Sequence, residues 1–247
     1  EYKKDPQAYE REILNKASDM ISGMFSELLM RWATEGQPMD ARKFNPNYNY
    51  TAAIDPAFRT DDFTFTIFHY EPTEGPVQDF VKNWKPEAKQ KLNPSPILDE
   101  VKEDLKSYGL DMVWSDQYQL ESLQQLALDR DFTIVGEDLT GKSKVKMFGS
   151  FLQSLRNRRI KLLRHRDQFQ QFTSIQKIMG SGGNVRISAP IGKHDDFVTV
   201  DVLAASKALL YGFTEKPPEP KEPTPFEKNM AKIMASVEQE ANNDGWV

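Results

Sequence analysis

The sequence predicts an α/β fold in which a mixed β-sheet is flanked by helices. Three strand-like segments come first, at residues 50–54, 63–68 and 77–84, and the second alternates bulky apolar residues with threonine. Such alternation is typical of a strand whose two faces differ. After residue 94, helix-like and strand-like segments alternate, as they do where helices connect parallel strands. Together the two patterns predict antiparallel and parallel neighbours in one sheet.

The N-terminal part is predicted to be a helix over residues 5–34, where apolar residues recur at three- and four-residue spacing. Asp5-Pro6 suits its start, because proline is favoured at the first helical position. Residues 36–50 are polar, aromatic and proline-containing. We expect them to form a linker or an ordered loop.

The later elements are predicted from periodicity and from residues that begin or end helices. Ser95 is expected to cap the first of these helices and Gly109 to end it. The predicted helices cover residues 94–109, 119–128, 144–156, 167–179 and 196–210, and the predicted strands cover residues 110–114 and 132–135. An apolar stretch at 160–163 and a glycine-rich hairpin at 180–190 complete the predicted core.

The C-terminal part has a different composition. Five of the nine residues at 217–225 are proline, which indicates a semi-rigid extended spacer. Residues 226–241 then have the pattern of a short amphipathic helix, which we expect to dock on a partner or to stay mobile.

The overall composition excludes several classes of protein. With 247 residues, the chain is long enough for one sizeable core and appendages. It contains no cysteine, which excludes disulfides, thiolate catalysis and zinc–cysteine sites. No apolar run approaches the roughly 18 residues that a membrane span needs.

The net charge of −5 hides one strongly basic segment. Residues 139–166 contain nine lysines or arginines and no acidic residue. Such a segment can bind the backbone of a nucleic acid, although a solvated helix face would have the same composition. The candidate contacts to DNA, within and beyond this segment, are Lys142, Lys144, Arg158, Arg159, Arg164, Arg186, Lys193 and His194.

Aspartates stand at the ends of predicted strands and at the start of the last predicted helix. Asp55 and Asp116 each follow an apolar run, and Asp195–Asp196 open the helix. Carboxylates gathered at one sheet edge can hold two divalent ions about 3.5–4 Å apart, which suits phosphodiester hydrolysis. Magnesium and manganese prefer such oxygen ligands. Taken singly, each aspartate is equally compatible with a turn or a helix cap.

A second motif indicates a different chemistry. Residues 136–143 satisfy the phosphate-loop pattern G-x-x-x-x-G-K-[ST], between a predicted strand and a predicted helix. This reading makes Lys142 and Ser143 nucleotide contacts. Against it, Glu137 and Asp138 put acids where backbone amides should hold a triphosphate. We therefore favour a turn before a helix and keep the nucleotide-binding protein as an alternative.

The order of the acidic motifs resembles the nuclease domain of the large terminase subunit of tailed bacteriophages. The resemblance covers roughly residues 47–213. It is carried by Ala-Ala-Ile-Asp55, by Met-Val-Trp-Ser-Asp116, and by Lys193-His194-Asp195-Asp196 before an alanine-rich helix. It implies a ribonuclease H-like (RuvC-like) fold and an endonuclease that cuts concatemeric double-stranded DNA with little sequence specificity.

The resemblance also implies roles for individual residues. Asp55 would bridge two Mg²⁺ or Mn²⁺ ions, and Asp116 and Asp195 would complete the catalytic set. Asp196 and Asp61 would be further metal ligands, with Asp62 competing for the role of Asp61. His194 would support a ligand or face a phosphate, or else lie solvated at the start of the helix.

The same resemblance implies a setting. Residues 1–46 would link this domain to an upstream packaging ATPase, residues 47–213 would form the nuclease, and residues 214–247 would form a tail. The implied partners are viral DNA, the portal protein, the small terminase subunit and the capsid motor, with no membrane involved. The implied location is the host cytoplasm at the procapsid vertex, and the isolated domain is expected to be monomeric. A non-catalytic module that docks DNA and portal remains a further alternative.

Overall fold

A computed structural model describes residues 20–58, 61–86, 91–117, 120–180 and 184–211. Its elements, numbered along the chain, are β1 (Met20–Gly23), α1 (Glu27–Thr34), β2 (Tyr50–Asp55), β3 (Phe63–Glu71), β4 (Gly75–Trp84), α2 (Pro94–Ser107), β5 (Met112–Asp116), α3 (Glu121–Leu128), β6 (Thr133–Glu137), α4 (Gly141–Arg156), α5 (Arg166–Ser174), β7 (Gln176–Met179), β8 (Val185–Ser188) and α6 (Asp196–Tyr211).

The main sheet has five strands in the order β4-β3-β2-β5-β6. The neighbours β2, β3 and β4 are antiparallel, whereas β5 runs parallel to β2 and to β6. The predicted mixed sheet is therefore confirmed. Its parallel strands β5 and β6 follow helix α2, as the alternating part of the sequence predicted. In the described ranges, no helix is long and apolar enough to cross a membrane.

Both faces of the sheet are covered, which explains why β3 is buried along nearly its whole length. One core cluster contains apolar residues of α1, α4, α5 and α6, and the other contains those of α2 and α3. Helix α6 lies directly on β2 and β3 and buries valines, alanines and a leucine. This packing fixes where the start of α6 meets the strand ends.

The helix predicted over residues 5–34 is wrong in the part that the structure describes. Only Glu27–Thr34 is helical there, and Met20–Gly23 forms a strand paired antiparallel with β7. Ser26 caps α1 with its side-chain oxygen, so the helix begins after the strand. Local periodicity missed this because the pairing partner lies far along the chain. Residues 5–19 lie outside the described residues.

The helix predicted over residues 167–179 is too long. Helix α5 ends at Ser174, and Gln176–Met179 is the central strand of a second sheet with the order β1-β7-β8. A hairpin is present, formed by β7 and β8, but its first strand lies before the predicted bounds of 180–190, and residues 181–183 lie outside the described residues. Backbone pairing on both sides of β7 has overridden the helical spacing of its side chains.

Two smaller predictions also need correction or placement. Asn93, not Ser95, caps α2: the Asn93 side chain accepts a hydrogen bond from the backbone N–H of Ser95. The predicted apolar stretch at 160–163 is buried at Ile160, Leu162 and Leu163, and Lys161 bridges Val77 in parallel. The chain divides into units 1–213 and 214–247, and the predicted tail helix lies outside the described residues.

Candidate metal centre

Strand register brings Asp55 and Asp116 to the same sheet edge. Ala53 of β2 pairs with Trp114 of β5, so the residue two positions further on each strand is an aspartate. Residues at equivalent positions of parallel neighbours point to the same face. Both aspartates therefore face the side of the sheet that α6 covers.

The start of α6 is fastened to the sheet beside these aspartates. The Thr64 hydroxyl of β3 donates to the backbone oxygen of Asp196 over 3.2 Å, and the backbone N–H of Asp62 donates to the Asp196 carboxylate over 3.3 Å. The backbone N–H of Phe197 donates to the side-chain oxygen of Gln171 on α5. These contacts hold Asp195 and Asp196 over the ends of β2 and β5.

The electrostatics confirm that the carboxylates are close together. Burial and the charges of Asp196, Asp195 and Asp116 together raise the pKa of Asp55 to about 8, against the opposing effect of Lys144. Burial also raises the pKa of Asp196 to about 6. Carboxylates that repel one another in a partly buried site are stabilised by a cation.

Asp61 and His194 extend this cluster toward solvent. His194 Nδ1 lies 2.7 Å from Asp61 Oδ1, and ligand atoms of Asp61, His194 and Asp196 all lie within 4.8 Å of one another. Asp62 points elsewhere: its carboxylate accepts from the Asn83 side-chain amide over 2.6 Å. Of the two neighbouring aspartates, Asp61 is thus the one grouped with potential metal ligands.

The chemistry of these side chains fits a hard divalent ion. The donors are carboxylate oxygens together with the single imidazole of His194, and magnesium and manganese prefer oxygen. The excess negative charge around Asp55 provides the electrostatic reason to bind one. Among the described residues, Asp61, His194 and Asp196 have ligand atoms close enough together to hold a metal ion. Asp55, Asp116 and Asp195 are further carboxylates near this group.

Several predicted DNA contacts lie close to the acidic cluster. Lys144 Nζ of α4 is 3.4 Å from Asp195 Oδ2. Lys193 and His194 line a cleft beside the acids, together with Lys85. Lys142 is exposed at the start of α4, on the same end of that helix as Lys144.

Other predicted contacts lie elsewhere. Arg158 and Arg159 follow the far end of α4, a 16-residue helix about 24 Å long. The Arg158 guanidinium stacks on Trp32 at 4.2 Å, and Arg159 Nη2 donates to the backbone oxygen of Pro72 over 2.7 Å.

The two remaining arginines are exposed, but neither contacts the acids. Arg164 lines a cleft with Arg31 and Trp32, and Arg186 lies on β8. The structure therefore divides the basic segment rather than gathering it on one face.

The phosphate-loop pattern has a local structural explanation. Gly136 lies within β6, where an added Cβ would be 3.1 Å from the Gln117 side chain, so close packing favours glycine. The Asp138 carboxylate accepts from the backbone N–H of Thr140, and the Ser143 hydroxyl bonds the backbone oxygens of Asp138 and Thr140. These internal bonds describe a turn that begins α4.

The sequence interpretation missed one charged pair next to the acids. Glu137 ends β6 and pairs in register with Asp116, and its carboxylate lies 2.7 Å from the Nζ of Lys207 on α6. The prediction ended this strand at residue 135, two residues early. With the strand extended to its true end, Glu137 is a strand-end acid like Asp55 and Asp116.

Comparison with known proteins gives a structural likeness. No protein-family model and no curated protein matches the chain. The large terminase of bacteriophage HK97 is similar with a TM-score of 0.64 and 13% identity over 83% of this chain and 48% of that one. The large terminase nuclease of thermophilic phage G20c is similar with a TM-score of 0.64 and 14% identity, over 75% of this chain and 98% of that one. A structure of the same nuclease with bound magnesium is similar with a TM-score of 0.62 and 15% identity.

These similarities establish the fold. The chain has the α/β architecture of phage large terminase nucleases, as the sequence motifs predicted, and spans about half the length of the HK97 protein. At such low identity the likeness is one of architecture, and the chemistry of the site depends on the side chains described above.

Proposed function

We propose that this chain is a metal-dependent endonuclease domain of a viral DNA-packaging terminase. The observation that carries the proposal is the convergence of Asp55, Asp116 and the α6 pair Asp195–Asp196 at one sheet edge, where burial and mutual repulsion raise the pKa of Asp55 to about 8. The bound magnesium in a nuclease of the same fold supports the choice of ion.

Asp55, Asp116 and Asp195 form the catalytic set in this proposal. Asp55 is central, since three other carboxylates act on it. Asp196 and Asp61 are additional ligands, and two magnesium or manganese ions held by the set would activate water and stabilise the leaving oxygen of the phosphodiester. His194 fixes Asp61 through their 2.7 Å contact and faces solvent, where it can meet a phosphate.

Double-stranded DNA is the proposed substrate. Lys142, Lys144 and Lys193 flank the acids and offer contacts to phosphates, which carry little sequence information. Arg186, on the strand β8 that packs against α4, can extend this surface. Binding of this kind weakens steeply with salt.

The large terminases that share the fold support a packaging setting for this chain. In this setting the substrate is concatemeric viral DNA, cut around packaging, and the wider machinery comprises the portal, the small terminase subunit and the capsid motor. Residues 1–46 would then join the nuclease to a preceding ATPase, and residues 214–247 would form the tail.

Digestion of a supercoiled plasmid tests the enzymatic proposal. The intact chain should nick and linearise the plasmid with Mg²⁺ or Mn²⁺, and Asp55→Ala should reduce cutting below detection while remaining folded. The matched control is Asp111→Ala, an exposed aspartate on the loop before β5. Undiminished cutting by Asp55→Ala in manganese would refute the assignment, and DNA binding without cutting by the parent would favour the docking module.

A further inference from the structure

Glu137 is the third member of a row of strand-end carboxylates. Its register partner on the parallel neighbour β5 is Asp116, and Asp55 occupies the equivalent place on β2. Paired residues of parallel strands share a face, and adjacent strands lie about 4.8 Å apart. Glu137 is thus about as close to Asp116 along the sheet as Asp55 is.

Lys207 of α6 forms an ion pair with Glu137. Its Nζ lies 2.7 Å from Glu137 Oε2 and 3.8 Å from the centre of the Trp114 ring. It is 6% exposed, and no other lysine in the described ranges is buried. Helical side chains lean toward the start of their helix, so Lys207 reaches from α6 toward the end that carries Asp195 and Asp196.

A buried lysine is retained only where its charge is matched. Glu137 and the face of Trp114 supply that match, and in return the lysine neutralises Glu137. Without it, another free carboxylate would lie beside Asp116, in a site where repulsion already acts on Asp55. A free carboxylate there would also be a competing ligand for magnesium or manganese.

We propose that Lys207 is a positioning residue that holds Glu137 out of the metal-ligand set. The ion pair fixes the Glu137 carboxylate against α6, so the ions are left to Asp55, Asp116 and the acids at the start of the helix. This inference rests on the proposed function, because it assigns a role within the same metal centre.

The test compares Lys207→Met, Glu137→Gln and the double variant in the intact chain. Calorimetric titration with Mn²⁺ measures metal binding without requiring cleavage, and plasmid digestion below the unfolding midpoint measures activity. Lys82→Met is the matched control, since Lys82 is a partly buried lysine that pairs with Glu100 and Asp104 away from the acidic cluster.

In Lys207→Met the freed carboxylate should tighten Mn²⁺ binding about fivefold and lower cleavage about tenfold, because the ion is drawn away from Asp55. Adding Glu137→Gln should return both values to within about twofold of the parent, since no free carboxylate remains. Glu137→Gln alone should keep the parent's Mn²⁺ stoichiometry, and Lys82→Met should match the parent in both assays.

Two results would overturn the proposal. If Lys207→Met only lowers the unfolding midpoint, with Mn²⁺ binding and cleavage of the folded protein unchanged, the pair merely stabilises the fold. If Glu137→Gln loses Mn²⁺ binding as completely as Asp55→Ala does, Glu137 is itself a ligand. A parent that binds Mn²⁺ but does not cut DNA would refute the nuclease and still leave the calorimetric comparison decisive.

Discussion

Asp61 and Asp62 are adjacent in sequence but have different surroundings. Asp61 contacts His194 and belongs to the cluster with Asp196, whereas Asp62 accepts a hydrogen bond from Asn83 and lies 3.9 Å from Lys85. The side chains of adjacent residues point to opposite sides of a strand. A shift of one position therefore decides which aspartate reaches the acidic cluster.

Asp61→Asn should therefore weaken Mn²⁺ binding about tenfold, as expected for a lost carboxylate near a metal. Asp62→Asn changes a side chain that contacts Asn83 and Lys85, so it should change binding by less than about threefold. Calorimetric titration of both variants measures the difference. Equal losses in the two variants would contradict the separation of their roles.

At this scale the sequence predicted the principal acids and not their supporting partners. Asp55 and Asp116 could be found because an apolar run ending in aspartate is visible locally. The choice between Asp61 and Asp62 could not be made, because it depends on Asn83 and His194, which are distant in sequence. Glu137 was missed because the end of β6 is set by pairing with β5.

At the scale of elements, α6 connects the core with the metal centre. Its first turn carries the acids, and further along Asp201 enters a buried polar network in which the Gln78 side-chain amide donates to Asp201 Oδ1 over 2.8 Å. Gln168 of α5 joins this network, because its side-chain amide donates a hydrogen bond to Gln78 Oε1 over 3.2 Å. Burial holds the pKa of Asp201 well above its usual range, which favours the protonated carboxyl in the folded protein.

The raised pKa predicts how stability depends on pH. The unfolded chain loses the Asp201 proton as pH rises past about 4, while the raised pKa keeps the proton on the folded chain to higher pH, so this group lowers the free energy of unfolding as pH rises above about 4. Asp201→Asn removes the titration and should flatten the fall of the unfolding midpoint over that window. Thermal unfolding in a pH series measures it, and an unchanged slope would show that Asp201 is ionised in the folded state.

Elements that depend on distant pairing were the ones mispredicted. The strand Met20–Gly23 and the strand Gln176–Met179 were both assigned to helices, because their apolar residues have helical spacing. They pair with each other, and Gln176–Met179 pairs on its other side with Val185–Ser188. The main sheet was predictable because Phe63–Phe68 alternates bulky residues with threonine and because helices separate β4, β5 and β6.

At the scale of the whole molecule, the basic segment is divided between two ends of α4. Lys142 and Lys144 lie at the end that faces the acids, and Arg159 lies at the other, with its backbone oxygen against the turn at Gly75. An added Cβ at Gly75 would approach that oxygen to 2.2 Å. The composition indicated that the segment is basic. It did not show that the helix places the basic residues of the segment at two separate ends.

This division predicts unequal effects on DNA binding. Lys142→Ala should reduce the slope of log affinity against log salt by about 1, as expected for one lost phosphate contact. Arg159→Ala should leave the slope unchanged, because its guanidinium is bonded to the β3–β4 turn. Fluorescence anisotropy with a short duplex at several salt concentrations measures both slopes, and a matching loss in Arg159→Ala would contradict the division.

Thermal unfolding with and without Mn²⁺ tests the central claim most directly, namely that the acids around Asp55 form a metal site. In EDTA, Asp55→Asn should unfold a few degrees above the parent, because the buried carboxyl and its repulsion are removed. Mn²⁺ should raise the midpoint of the parent by several degrees and leave Asp55→Asn unchanged. A parent that Mn²⁺ does not stabilise, or an equal stabilisation of Asp55→Asn, would contradict the account.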